Sequence, residues 1–422
     1  MSNVTNNENL NTPVNFAQEG FGAETVGGRN GKILNVTSLR DDNSEGTLRW
    51  AIEQDGPRIV RFKVHGIVQL KSVLRISNPY ITIDGSEVLK GGGIGITLRD
   101  YPIDVRTDQV IIKYIRIRLG DYAVRKRISD NNWKRHKGSG YLDCLNIDKS
   151  NNVLIDHVSM SWSCDEIISV TNSTNITVQW CILAEPLSDP VLHPYGDNHA
   201  YCSNNSASTI TYHHCLFAHY VIRGPQFEAN DIIPEQLPNP RFEAINNVCF
   251  AFTKSGCRYK AAFDFPEKYK DKNVDVKYQF IANKFINTAL PHKTEIECVD
   301  DYGFHMPIYV YFKDNVGVHN KTGKNNQLPL IFTDGKAHYS IEHRKNLRYL
   351  EQISDTLLFQ PKTPVTVESP DSAYESIIRF AGCYLARDRH DQRIIDDLKN
   401  RSNPRILNSQ EDVGAWNTFV AE

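Results

Sequence analysis

VLIDHVSM at 153–160 is followed by ITVQWCIL at 176–183, TITYHHCLF at 209–217 and FEAINNVCF at 242–250. Each run is rich in β-branched or aromatic residues, and each carries a polar or aromatic residue at a turn-like position. Related runs lie on either side: ITIDG at 81–85 and VIIKYIRI at 110–117 before them, YQFIANKF at 278–285 and IYVYFKDNV at 308–316 after them. Aligning His157, Trp180, His214, Asn247, Asn283 and Asn315 in one column gives intervals of 23, 34, 33, 36 and 32 residues. A short minimum with variable excess fits a coil of constant circumference carrying loop insertions, and self-similarity on that scale marks a solenoid. Strict helical periodicity is absent between 80 and 317, so the coils are strands. The expected fold is all-β: a right-handed parallel β-helix with Val, Ile, Cys and Phe stacked inside and Asn residues hydrogen-bonded from coil to coil. An antiparallel sandwich would give turn signals every ~8–12 residues, and the chain lacks them.

The ends of such a column expose strand edges and need covers. EGTLRWAIEQD at 45–55 reads as a short N-terminal capping helix with Leu48, Ala51 and Ile52 on one face. Near the other end, acidic Asp371–Glu375 opens a stripe of Ala373, Tyr374, Ile377, Ile378 and Ala381 that stops at Gly382, the pattern of a second capping helix. Residues 318–370 read as a loop-rich connection lying on the column. The organisation expected is a flexible tail over 1–18 and a single domain over 19–422, with coils at about 56–317 and C-terminal loops and capping helix at about 318–422.

Of 422 residues, 40% are hydrophobic and 23% charged, which supplies a large core and excludes global disorder. A net charge of -2 gives no global pull toward nucleic acid or anionic membrane. No apolar run approaches the roughly 20 residues of a membrane-spanning helix. The polar opening MSNVTNNENLNTPVN lacks the basic-then-apolar layout of a secretory signal. The nine cysteines are odd in number and dispersed, against a complete disulfide framework; Cys181 and Cys215 recur at matching places and read as small buried hydrophobes.

Five segments in order then carry a resemblance: EGFGAETVGGRNGKILNVTSLRDDNSEGTLRWAI at 19–52, GPRIVRFKVHGIVQL at 56–70, DCLNIDKSNNVLIDHVSMSWSCDE at 143–166, TYHHCLFAHYVIRGP at 211–225 and AYESIIRFAGCYLARDRHDQRIIDDLKN at 373–400. Together they resemble the pectate lyase family, polysaccharide lyase family 1. The resemblance implies cleavage of polygalacturonate by β-elimination: a base takes the C5 proton of a galacturonate, the glycosidic oxygen at C4 leaves, and a 4,5-unsaturated end remains. It also implies a calcium ion, which would polarise the substrate carboxylate and acidify that proton. The implied partner is an acidic polysaccharide such as homogalacturonan or pectin, with no nucleic acid and no membrane span. The protein is then expected to be a secreted, periplasmic or cell-surface monomer, its signal absent from this sequence.

By the same resemblance, Asp143, opening DCLNI, and Asp165, in WSCDEIISV, are metal ligands. The family has a further acid four positions after the second; here that residue is Ser169, and Glu166 either compensates or leaves a weaker site. Asp156 and His157 also match the family and read as a structural turn or buried hydrogen-bonding pair. HHCLFAHYVIRGPQ keeps His213, His214, Arg223 and Pro225 of the family's HHNxxxxxxxRxPR, in which the first arginine is the base, while Gln226 replaces the second. Arg223 is therefore the candidate base. A guanidinium gives up a proton only when its surroundings disfavour the charge, so the alternative is that Arg223 binds a substrate carboxylate as a planar cation. Arg241, beyond a stretch read as an inserted loop, either supplies the missing second arginine or is itself the base. His193 and His199 stand nearest to the family's substrate-binding lysine; a core or loop role is the other reading.

Nine basic residues against two acids lie between 113 and 137, among them Arg116, Arg118 and Lys126. Such a run is a solvated face, or one that a polyanion would choose. Two other functions fit the same architecture. An inverting glycoside hydrolase needs paired acids with room for water, and no such pair stands out. A non-catalytic module binding acidic glycans, or a lyase on another uronate polymer, would accommodate Ser169 and Gln226.

Overall fold

The computed structural model describes residues 16–130, 142–193, 196–229, 239–260, 275–287, 294–300, 307–318, 330–333, 336–338 and 353–415. Three sheets run along one column, and within each sheet sequential coils supply neighbouring strands. Among the described residues the first sheet holds eleven strands from Lys32–Val36 to Ile353–Ser354, the second ten, the third eight. Pairing among the described residues is parallel, except that Leu330–Thr333 meets Lys336–His338 antiparallel. The structure is a parallel β-helix.

Register explains the hydrophobic periodicity. In the eleven-stranded sheet Val60, Ile83, Ile112, Ile155, Val178 and Tyr212 pair in succession and continue through Ala244 and Phe280 to Phe312. These residues are all buried in one continuous core, so each coil completes the packing of the last. All nine cysteines are buried thiols, none in a disulfide.

The turn column needs one correction. Pairing of Gln179, His213, Ile245 and Ile281 places His157, Trp180, His214, Asn246 and Ala282 in one column, and Cys181, Cys215, Asn247 and Asn283 in the next. Asn247 therefore aligns with Cys215, one residue beyond His214. The first column adopts left-handed backbone, with φ of 54, 53 and 51° at His157, Trp180 and His214, and its rings stack outside: Trp180 and His214 lie 4.3 Å apart. In the second, Asn247, Asn283 and Asn315 form the expected ladder. The Asn283 side chain donates to Asn315 Oδ1 at 2.9 Å, and Asn247 donates to Asn283 Oδ1 at 3.0 Å.

Thr47 caps the helix Leu48–Glu53 by accepting from the Trp50 amide, and Leu48, Ala51 and Ile52 are buried, as the amphipathic pattern predicts. The C-terminal helices depart from the expected end cap. Pro370–Phe380 and Arg389–Asn400 pack Ile377, Ile378, Ile394 and Leu398 against Ile182, Leu216, Val248 and Phe250 on the outer flank of the eight-stranded sheet. That sheet's outward face is apolar and would otherwise be wet. Arg116 and Arg118 belong to this interface and not to a solvated basic face: both are buried, with Arg118 Nη2 2.6 Å from Asp391 Oδ1 and Arg116 Nε 3.2 Å from Asp388 Oδ2.

Candidate functional site

The coils leave the eight-stranded sheet for the ten-stranded sheet through turns, and those at Gly120, Trp162, Glu185 and Ala218 stack at one edge. Gly120 donates its amide to the Trp162 carbonyl, Trp162 to Glu185, and Glu185 to Ala218, at 2.9–3.1 Å. Asp143, Asp165 and Glu166 stand where the turns enter strands Leu145–Asp148 and Glu166–Thr171. Tyr201 pairs with Glu166 on the next coil, and Ile222, beside Arg223, bridges to Tyr201 on the one after. Local sequence far apart in the chain is thus stacked within a few ångströms.

The three acids converge. One oxygen from each of Asp143, Asp165 and Glu166 lies within 4.8 Å of the others, and the Glu166 amide donates to Asp143 Oδ1 at 3.1 Å. Ser169, in place of the family's further acid, hydrogen-bonds the Asp143 carboxylate. The Arg223 guanidinium donates from Nη1 to Glu166 and rests over the Tyr201 ring, 4.7 Å from its centre. Its Nε is buried and has no hydrogen-bond partner among the described residues. Arg223 also holds left-handed backbone, φ 71°, a strained conformation of the kind found where a side chain must be aimed.

His199 Nε2 sits 3.0 Å, and His193 Nε2 3.5 Å, from Asp165 Oδ1. The two imidazoles stack with centres 3.7 Å apart, and Tyr201 lies against His199 at 3.8 Å. On their far side both rings face Asp197, which pairs with His193 Nδ1. The structure therefore brings together Asp143, Asp165, Glu166, Arg223, His193 and His199. It does not bring Arg241 to them. Arg241 opens a strand of the eleven-stranded sheet and pairs with Asp275 at 2.6 Å, so its expected place beside Arg223 is corrected: it stands on a different sheet from the cluster. Gln226 is buried and donates to Asn204 at 2.9 Å. Sequence reading missed Tyr201 and Asp197; the only signal was their closeness to His199 in DNHAY.

The electrostatics follow from burial and crowding. Burial, and then repulsion from Asp165, push Asp143 and Glu166 well above the ordinary carboxylate range. Burial pushes Asp165 the same way, but hydrogen bonds from His193 and His199 outweigh it and hold Asp165 low. Desolvation acts to lower Arg223, yet Glu166 keeps it firmly charged. Three carboxylates thus face one guanidinium. Hard oxygen donors whose mutual repulsion resists their ionising together suit a divalent cation such as calcium, which would offset that repulsion.

Across 402 residues the chain is 36% identical to the "Probable pectate lyase C" of Aspergillus flavus, spanning 94% of this chain and 80% of that one. The chain belongs to the pectate lyase family. The "Probable pectate lyase C" of Aspergillus oryzae is 26% identical over the same length. Among solved structures, a pectate lyase bound to hexasaccharide superposes with a TM-score of 0.53 at 13% identity, covering 90% of this chain and 100% of that one. Its likeness concerns the pectate lyase fold. No family model matches the chain.

Proposed function

We infer that the protein is a pectate lyase that cuts polygalacturonate by β-elimination, leaving 4,5-unsaturated oligogalacturonides. One observation carries the reading: in a chain of this family, Asp143, Asp165, Glu166 and Arg223 meet at one edge of one sheet. Asp143, Asp165 and Glu166 are the residues to hold calcium, and their all-oxygen donor set fits it. When bound, calcium would supply Lewis-acid polarisation of the substrate carboxylate.

Arg223 is assigned the C5 proton. Its guanidinium is 20% exposed, which leaves part of it accessible to a substrate, and Tyr201 lies beneath it at 4.7 Å. Glu166 holds it in the charged form; whatever takes up the charge of Glu166 loosens that hold and lets the guanidinium exchange a proton. His193 and His199 are assigned to keeping Asp165 ionised and oriented, and Asp197 to fixing their outer nitrogens. A polymeric substrate places the work outside the cytosol, whether secreted, periplasmic or at the cell surface. One chain carries the whole cluster, so a monomer suffices.

The test is incubation with polygalacturonate while following absorbance of the unsaturated product. Absorbance should rise, stop on chelation and return with calcium. Reducing ends without that absorbance would make the enzyme a hydrolase, and no cleavage would make it a binding module.

A further inference from the structure

A cavity of about 710 Å³ opens beside the stack of turns, on the coils preceding the acidic cluster. Arg40, Lys71, Lys126, Arg127, Tyr101 and Tyr122 line it. Two of its acids are already engaged: Asp41 with Arg49 at 2.8 Å and Asp100 with Arg99 at 3.2 Å. Asp130 is the remaining lining carboxylate. Arg40 has Asp42 at 3.5 Å, whereas Lys71 and Lys126 are exposed and form no ion pair with a described carboxylate. The cavity is therefore net positive. It also offers aromatic faces: Tyr122 is 54% exposed, and Arg127 lies over the Tyr101 ring at 5.3 Å.

The cavity is built on the same edge as the site. Asp100 donates its amide to the Leu119 carbonyl and Gly120 to Trp162, both at 2.9 Å. Tyr101 thus precedes the turn of Asp165 by two coil steps, roughly 10 Å at about 4.8 Å per strand. The helix Tyr122–Ser129 forms the wall between them. Its Arg125 pairs with Asp121 at 2.7 Å and with Asp189 at 2.6 Å, and Asp189 lies on the loop that carries His193 and His199. The wall and the site loop are clamped together.

We propose that this cavity is an accessory groove for the same polymer, holding a uronate segment several residues from the bond being cut. Alternating carboxylates meet Lys71, Lys126 and Arg127, while the apolar face of a sugar ring lies on Tyr122. The proposal rests on the lyase reading, and it makes chain length a determinant of affinity. It also gives part of the basic run between 113 and 137 a function distinct from that of buried Arg116 and Arg118.

The test compares wild type with the Lys71→Glu/Lys126→Glu double variant and with Tyr122→Ala, on long polygalacturonate and on trigalacturonate. The double variant should raise KM for the polymer about tenfold, more at low than at high salt, with kcat unchanged. Trigalacturonate, too short to reach both places, should be cut as before. Retardation in a polygalacturonate gel, which needs no turnover, should weaken in parallel. An unchanged polymer KM and gel mobility would overturn the groove, and so would an equal loss on trigalacturonate. Wild-type retardation that the double variant loses, without any unsaturated product, would instead sink the lyase reading and leave the groove standing.

Discussion

Arg223 reaches Glu166 from two coils away, across the ring of Tyr201 on the coil between. The contact holds a partly buried cation against a buried acid whose affinity for protons is raised by burial and then by Asp165. Such a pair stabilises the folded chain weakly at best, so its geometry is more informative about chemistry than about stability.

If Arg223 takes the C5 proton, Arg223→Lys should lower kcat by about 100-fold or more, with KM little changed. Steady-state kinetics on polygalacturonate give the answer. A raised KM with kcat preserved would make Arg223 a substrate-binding cation. Arg241→Lys, remote from the cluster, should leave both constants near wild type.

Asp165→Ala removes one of the converging oxygens and the partner of both imidazoles. The calcium concentration for half-maximal activity should rise by roughly tenfold or more, while Tm changes little, because the Asp165 side chain is partly exposed. Calcium titrations of activity and a melting curve suffice. An unchanged midpoint in both Asp165→Ala and Asp143→Ala would remove these acids from the metal site.

Glu243 offers a pH test away from the site. Burial raises its pKa from 4.5 to about 7, against hydrogen bonds from Thr211 and Gln279. Between those values the unfolded chain releases the proton while the folded chain keeps it, so stability falls as pH rises through that window. Above about 7 the loss is complete, about 3 kcal/mol at ~1.4 kcal/mol per pH unit. Glu243→Gln should therefore melt higher than wild type at pH 8, and the gain should vanish near pH 4.5. Parallel Tm profiles for the two proteins would show that Glu243 does not titrate in this way.

Asp391→Ala should destabilise the protein by about 3–5 kcal/mol, since it leaves Arg116 and Arg118 buried with only Asp388 to balance them. Denaturant unfolding measures it. A loss below about 1 kcal/mol would mean that the C-terminal helix is held by its apolar face alone.

The sequence by itself determined the β-helix, because a solenoid repeats one local decision. Val, Ile and Phe must recur once per coil, and Asn247, Asn283 and Asn315 must meet at one turn. It also marked Asp143, Asp165, Glu166 and Arg223 as chemically notable. Only the tertiary structure decided which of the candidates share a site. Loop insertions change the number of residues per coil without changing the rise, so linear spacing does not fix which sheet a side chain reaches. Arg241 lies 18 residues beyond Arg223 yet sits on another sheet, while Glu166, 57 residues before it, is in contact. The same uncertainty displaced Asn247 by one position from its true column. It also hid the roles of Arg116 and Arg118: in a run of nine cations their sequence looks solvated, and only the helix folded back from 389–400 buries them.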